Sequence, residues 1–256
     1  MKVIVFGGAG FVGSHVADAL SEEGYNVAIF DKQTSAYLRA DQDMILGDIL
    51  DPESVKAAVS GCDYVYNFAG IADLDDATTR PADTVTQNIM GTVNILEACR
   101  QCKIRRLVYA STVYVYSERG GFYRCSKQAA ELYIEEYQRK YGLEYTILRY
   151  GTVYGPRADE SNSVHRYLKQ ALTNQKIICA GSGEEMREYI YICDAAKLSV
   201  QILHNKRHVN THIIITGHHP MRFMDFLKMI KEILGDNVEI KLTEPDVASA
   251  HYNMTP

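Results

Sequence analysis

Three glycines, Gly7, Gly10 and Gly13, follow directly on the apolar run Val3-Ile4-Val5-Phe6 and lead into an amphipathic stretch over residues 14–23. No other feature narrows the fold as much. The first glycine permits a tight turn, the second lets backbone approach a pyrophosphate, and the third lets a helix pack closely on its strand. The phosphates then lie at the positive N-terminus of that helix. Phe11 and Val12, between the second and third glycines, belong to the same cofactor-binding turn.

The periodicity of the following residues agrees with such a start. Short apolar runs at 3–6, 27–30, 64–68, 107–110 and 145–148 predict strands, and amphipathic stretches at 14–23, 52–59, 84–101 and 123–141 predict helices between them. Strand and helix in alternation imply an α/β fold, a doubly wound parallel sheet with right-handed crossovers. After Gly155-Pro156 the rhythm loosens. Helices are expected at 163–173, 194–203 and 222–234, strands near Ile177 and at 212–216, and a loop at Gly181-Ser182-Gly183. Residues 1–155 thus read as a dinucleotide-binding domain and 156–256 as a smaller substrate-binding region interleaved with strands returning to the sheet.

Composition removes several classes of function. A net charge of −5 over 256 residues, with both signs spread along the chain, gives no nucleic-acid footprint. A few local arginines can still bind an anionic substrate. The first residues lack the pattern of a secretory signal, so a cytoplasmic protein is expected. No apolar run reaches the ~20 residues of a membrane helix. The six cysteines show no disulfide spacing, and Cys99 and Cys102 read as helical thiols. Asp73-Leu74-Asp75-Asp76 and the histidines at 208, 212, 218 and 219 complete no ligand set, and no metal is expected.

Asp31 closes the second predicted strand, where a carboxylate accepts hydrogen bonds from a ribose 2′-hydroxyl and repels a 2′-phosphate. That favours NAD over NADP, and Lys32 beside it softens the preference. Farther on, Tyr123 and Lys127 stand four residues apart and share one helix face. A free phenol with a pKa of ~10 is too weak a base at neutral pH, and a nearby ammonium together with a cationic nicotinamide lowers it. Lys127 is therefore expected to activate Tyr123 and to hold the ribose. Thr112 ends a predicted strand at the carboxyl edge of the sheet, where open α/β folds bind ligands.

Further motifs extend the pattern: Gly47-Asp48-Ile49, Asn67-Phe68-Ala69-Gly70, Asn88-x-x-Gly91-Thr92-x-Asn94-x-Leu96-Glu97-Ala98, Arg149-Tyr150-Gly151-Thr152-Val153-Tyr154-Gly155-Pro156 and Arg187-Glu188-Tyr189-Ile190-Tyr191. With the glycines and the Tyr-x-x-x-Lys pair, they resemble the extended branch of the short-chain dehydrogenase/reductase superfamily, the NAD-dependent nucleotide-sugar epimerases and dehydratases. The resemblance runs nearly end to end. It implies that Asp48 and Ile49 lie beside the adenine, that Phe68 and Ala69 line the cofactor channel with Tyr150 and Val153, and that Thr112, Tyr123 and Lys127 form a catalytic triad. It implies that Arg187 meets a substrate nucleotide or phosphate, with Thr152 and Arg157 also on the substrate side.

The implied reaction is epimerisation through a transient keto-sugar, with Tyr123 as base and Thr112 hydrogen-bonding the reacting oxygen. Three departures bear on it. Val113 and Tyr114 occupy the places where 4,6-dehydratases carry an acidic pair, Thr152 replaces a common Asn, and the 112–123 connection is unusually short. The C-terminal part also looks short for the family, as if the substrate lobe were incomplete. A nucleotide-sugar dehydratase, an NAD(P)-dependent keto-sugar reductase and a non-catalytic cofactor-binding scaffold or sensor remain as alternatives. Relatives pair the 84–101 and 123–141 helices in a four-helix bundle, so a homodimer is expected through Ile89, Val93, Leu96, Leu132 and Ile134.

Overall fold

The computed structural model describes residues 1–235 and 237–244. The strands are β1 (Lys2–Phe6), β2 (Asn26–Asp31), β3 (Gln42–Leu46), β4 (Tyr64–Asn67), β5 (Arg106–Thr112), β6 (Tyr145–Tyr150), β7 (Thr152–Tyr154), β8 (Lys176–Ala180), β9 (Met186–Arg187), β10 (Tyr189–Tyr191), β11 (Thr211–Ile215), β12 (Met221–Arg222) and β13 (Glu239–Thr243). The helices are α1 (Phe11–Glu22), α2 (Pro52–Val59), α3 (Leu74–Thr79), α4 (Pro81–Thr84), α5 (Gly91–Cys102), α6 (Gly121–Tyr141), α7 (Ser163–Asn174), α8 (Ile192–Gln201) and α9 (Phe223–Leu234). A π-helical segment, Val85–Met90, joins α4 to α5.

Seven strands form one parallel sheet in the order β11-β6-β5-β4-β1-β2-β3. Val3, Ile4, Val5 and Phe6 of β1 have no exposed surface, because the strand is covered on both faces. That double burial is why parallel strands read as continuous apolar runs rather than alternating ones. One face packs against α2, α5 and α6, the other against α1 and α8. β1 pairs with β2 on one side and β4 on the other, so the chain changes direction there and opens a crevice at the carboxyl ends of the strands.

A third cluster, built from α7, α9 and the short strands around them, forms a smaller lobe centred on Phe223, Phe226 and Tyr167. β8 pairs with β13, β9 with β12, and β7 with β10. The region after residue 155 nevertheless returns β11 to the main sheet beside β6. Residues 245–256, the tail of the expected substrate region, lie outside the described residues.

Several elements differ from the expectation. β3 was not expected: its apolar run is only Met44-Ile45-Leu46, and as an edge strand it leaves Asp43 and Leu46 at the surface. Residues 85–90 are wound as a π-helix, not as the opening of one α-helix over 84–101. β7 and β13 gain their order only from their partners, β10 and β8. Leu96 and Ile134 are core residues rather than free dimer contacts, whereas Leu132 is 64% exposed. Among the described residues, no helix is long and apolar enough to cross a membrane.

Candidate active site

The crevice at the switch point is a groove of about 650 Å³ bounded by Gly7, Gly10, Asp31, Lys32, Ile49, Phe68 and Ala69. Gly7 has φ +75°, and a Cβ there would fall 2.6 Å from the Ala69 nitrogen. A Cβ on Gly13 would meet the Gly7 carbonyl oxygen at 2.2 Å. Both distances are shorter than any ordinary non-bonded contact, so the turn and the helix approach need glycine there. α1 begins without a side-chain cap, while Asp51, Asp73 and Asn162 cap α2, α3 and α7. Its first backbone N–H groups are thus left for an anion, which is the fit a dinucleotide pyrophosphate requires.

Asp31 lines this groove, with one carboxylate oxygen accepting the Ala9 N–H at 3.1 Å and the other the Gln33 N–H at 3.4 Å. Lys32 is drawn to Asp48 at 3.2 Å, away from Asp31. The pair is half exposed and contributes little stability. Ile49 is wedged against Gly91, where a Cβ would come within 2.4 Å of its Cδ1, and its carbonyl accepts from Asn94 at 2.9 Å. Phe68 stacks on Tyr66 at 6.2 Å with Tyr150 also 6.2 Å away. The Tyr150 hydroxyl is committed to Ser199 on α8 at 2.6 Å, so Tyr150 supports the groove by ring packing. Val153 is buried on β7, and Phe11 and Val12 pack into the sheet face below α1.

Arg80, Asp83 and Gln87 also line the groove and were not singled out from the sequence. Their only signal was an Arg-Pro step opening a helix. Which wall that helix forms is a tertiary matter.

Two strands from β1 along the sheet, β5 ends at Thr112 and α6 begins nine residues later. The short connection is a single 3₁₀ turn, Val113–Tyr116, followed by Gly120 and Gly121 with φ +87° and +47°. Tyr123 therefore sits in the first turn of α6. Burial pushes its phenol up to about 12, and a hydrogen bond with Thr112 opposes that in part. The Lys127 ammonium donates to the Ala110 carbonyl at 2.9 Å and lies 5.7 Å from the Tyr123 ring centre. Burial lowers it to about 8, against the pull of Glu131. The protein's own groups thus leave Tyr123 a neutral phenol. The lowering expected from Lys127 together with a cationic nicotinamide concerns the filled site.

Asn88, in the π-helix, ties the two halves of the site together. It accepts from the Ile71 N–H at 2.7 Å and donates to the Ile71 carbonyl and Ser126 hydroxyl, each at 2.9 Å. Ser126 in turn donates to the Tyr123 carbonyl at 2.8 Å. The groove loop and the first turn of α6 are locked to one another through this side chain.

The residues expected on the substrate side separate. Arg187 on β9 is buried, lies 4.3 Å above the Phe223 ring and bonds Tyr167, with its Nε lacking a partner among the described residues. Arg157 is pinned to α1 by Asp18 at 2.7 Å and stacks on Tyr37 at 4.5 Å, so it joins the lobe to the first helix. Thr152 donates its backbone N–H to the Glu188 carbonyl at 3.3 Å. Cys99 is buried and Asp73 caps α3; the described residues hold no group of three or more His, Cys, Asp or Glu suited to a metal.

A glycine cradle at a switch point, with a tyrosine and a lysine at the neighbouring strand end, defines a dinucleotide-dependent enzyme of the extended short-chain dehydrogenase/reductase type. Residues 3–216 match the model of the NAD dependent epimerase/dehydratase family, and the chain belongs to that family. It is 32% identical to a putative UDP-glucose 4-epimerase of Methanocaldococcus jannaschii over 81% of this chain and 75% of that protein. It is 30% identical to a UDP-N-acetyl-alpha-D-glucosaminuronate decarboxylase of Bacillus cytotoxicus, over 84% of this chain and 74% of that one. The UDP-glucose 4-epimerase of Thermotoga maritima, solved with UDP-glucose, superposes with a TM-score of 0.90 at 28% identity, covering 97% of this chain and 87% of that one. The UDP-glucuronic acid 4-epimerase of Bacillus cereus, solved with UDP-glucuronic acid and NAD, gives 0.88 at 28% identity over 96% and 87%. The family is NAD-dependent, and its cofactor fits the groove described here.

Proposed function

We propose that this protein is a nucleotide-sugar epimerase that inverts a sugar carbon through a transient keto-sugar. The single observation that carries the reading is the trio of Thr112, Tyr123 and Lys127 gathered at the carboxyl end of β5, in the same sheet whose β1 and β2 ends line the glycine groove. NAD, when bound, supplies a hydride acceptor that later returns the hydride, and adds positive charge to the site. Tyr123 moves the proton of the reacting sugar hydroxyl, and Thr112 hydrogen-bonds that oxygen. Lys127 contributes the ammonium that favours the phenolate once the site is filled. Gly7, Gly10 and Gly13 hold the pyrophosphate, Asp31 the ribose, and Ile49, Phe68 and Ala69 wall the groove.

Arg187 is the arginine we assign to the substrate diphosphate, because it is buried in the smaller lobe, its Nε has no partner among the described residues, and an open buried donor is costly unless an anion meets it. Arg80 joins the cofactor set on the strength of its place on the groove wall. Val113 and Tyr114, rather than two carboxylates, follow Thr112, which favours epimerisation over dehydration. We also propose a homodimer in which α5 and α6 pair across a two-fold axis, with Leu132 at its centre. The test is incubation with UDP-glucose or UDP-glucuronic acid and separation of the products by chromatography. The C4 epimer is the expected product, with no net NADH. A 4-keto-6-deoxy product, or NADH formed in proportion to product, refutes the assignment.

A further inference from the structure

Glu131 follows Lys127 by one helical turn on α6 and is only 5% exposed. Its carboxylate accepts three hydrogen bonds from two residues. Arg149 of β6 donates through Nη2 at 2.5 Å and Nε at 3.1 Å, and the Ser111 hydroxyl donates at 2.5 Å. Arg149 donates its remaining Nη1 to the Tyr116 hydroxyl at 2.6 Å and lies 4.6 Å from the centre of that ring. The pair therefore joins α6, β5, β6 and the 3₁₀ turn directly behind the reactive trio. Three successive residues of β5 are engaged in order: the Ala110 carbonyl by Lys127, the Ser111 hydroxyl by Glu131, and the Thr112 side chain by Tyr123.

A buried ion pair is a poor way to gain stability, since apolar side chains of the same volume serve as well or better. Its position one turn from Lys127 offers another use. We propose that Glu131 is a positioning residue of this active site: its carboxylate, clamped by Arg149 and Ser111 one helical turn from Lys127, keeps the Lys127 ammonium charged where Ala110 holds it at the end of β5. This matters for turnover only if Lys127 has the role given above, whereas the electrostatic link stands without it.

The groups that face Lys127 leave Glu131 as the source of negative charge. From β5 come the Ala110 carbonyl and the Tyr109 ring at 4.9 Å, and from α6 the neutral Tyr123 at 5.7 Å. Arg149 of β6 stands behind Glu131, bonded to it and to Tyr116 of the turn. Neutralising Glu131 would leave the ammonium desolvated beside an unbalanced guanidinium. Its proton would then be lost at lower pH.

The test is a pH titration of the whole protein labelled with ¹³C at lysine Cε, the Lys127 signal being identified by its loss in Lys127→Met. A midpoint near 8 is expected for the unaltered protein. Glu131→Gln should lower it by about one pH unit, as loss of a charge partner does. Glu131→Gln with Arg149→Gln, which leaves no unbalanced guanidinium, should lower it by less and serves if the single variant does not fold. A midpoint unmoved in the folded variants overturns the proposal, whatever their activity. A shifted midpoint in a protein that converts no UDP-sugar would sink the epimerase reading and leave the Glu131 link intact.

Discussion

Substituting alanine at two of the three loop glycines should separate packing from ligand approach. At Gly13 the new Cβ would sit 2.2 Å from the Gly7 carbonyl oxygen and 3.0 Å from the Gly8 Cα. These are rigid backbone atoms of the same turn, so α1 must move outward by about 1 Å to restore a normal contact. Overpacking of that kind costs about 1–3 kcal/mol. In a domain of this size it corresponds to a fall of roughly 2–10 °C in Tm. At Gly10 the nearest atom to an added Cβ is the same carbonyl at 3.3 Å, a tight contact that needs only a slight shift, and φ is −79°, so alanine strains the turn far less than at Gly13. Gly10→Ala should keep the wild-type Tm and bind NAD more weakly because its methyl stands where the pyrophosphate approaches. Gly13→Ala should lose both. Differential scanning fluorimetry with and without NAD, with calorimetric titration of NAD, reads both quantities. A Gly13→Ala variant that melts with the wild type, or a Gly10→Ala variant that binds NAD undiminished, would refute the reasoning from the turn.

Other consequences are open to simple assays. Tyr123→Phe should retain NAD affinity while turnover drops about 10²–10⁴-fold, the usual weight of a proton-transfer group; unaltered turnover removes Tyr123 from the chemistry. Lys127 is lowered from 10.5 to about 8 in the folded protein, so below pH 8 the cost of its buried charge is present in full and is relieved as pH rises toward 10.5. Wild-type stability measured against Lys127→Met by urea unfolding should therefore rise across that window, and a flat difference contradicts the burial argument. Tyr123, raised from 10.0 to about 12, acts in the opposite sense at higher pH, where the unfolded phenol ionises first and stability falls. Leu132→Glu places a charge on a side chain that is 64% exposed in the single chain and should convert a dimer to a monomer by light scattering without changing Tm appreciably. A monomeric unaltered protein disproves the proposed pairing.

Much of the fold was legible because the elements that build it have local causes. β1 is an unbroken apolar run since it is buried on both faces, and the glycines after it are demanded by distances within one turn. Asp51 ahead of Pro52 caps α2 through the N–H groups of Glu53 and Ser54, a signal contained in four consecutive residues. β3 was not legible: this edge strand, half open to water, offers only Met44-Ile45-Leu46 after two polar residues, and its order comes from its pairing with β2. Residues 85–90 have the composition of an ordinary helix. Asn88 bonding both Ile71 and Ser126 accompanies the π-helical winding there, and neither partner is near in sequence.

The candidate site divides along the same line. Its members were readable from type and spacing: three glycines, an aspartate at a strand end, and a tyrosine with a lysine one helical turn away. Those signals are short-range, fixed by covalent geometry and by the periods of helix and strand. What each member experiences was settled only by residues distant in the chain. Arg157 was readable as a cation but not as a partner of Asp18, and Arg187 not as a buried guanidinium over Phe223. In the protein alone, burial raises the Tyr123 phenol and a hydrogen bond with Thr112 opposes it, whereas the lowering expected from Lys127 belongs to a site that also holds the cationic nicotinamide. Glu131 carries no mark in the sequence that it is enclosed by Arg149 and Ser111, which come from β6 and β5. Residue identity determines which groups can react, but desolvation and charge balance depend on what the chain packs around them, and that is decided by tertiary structure.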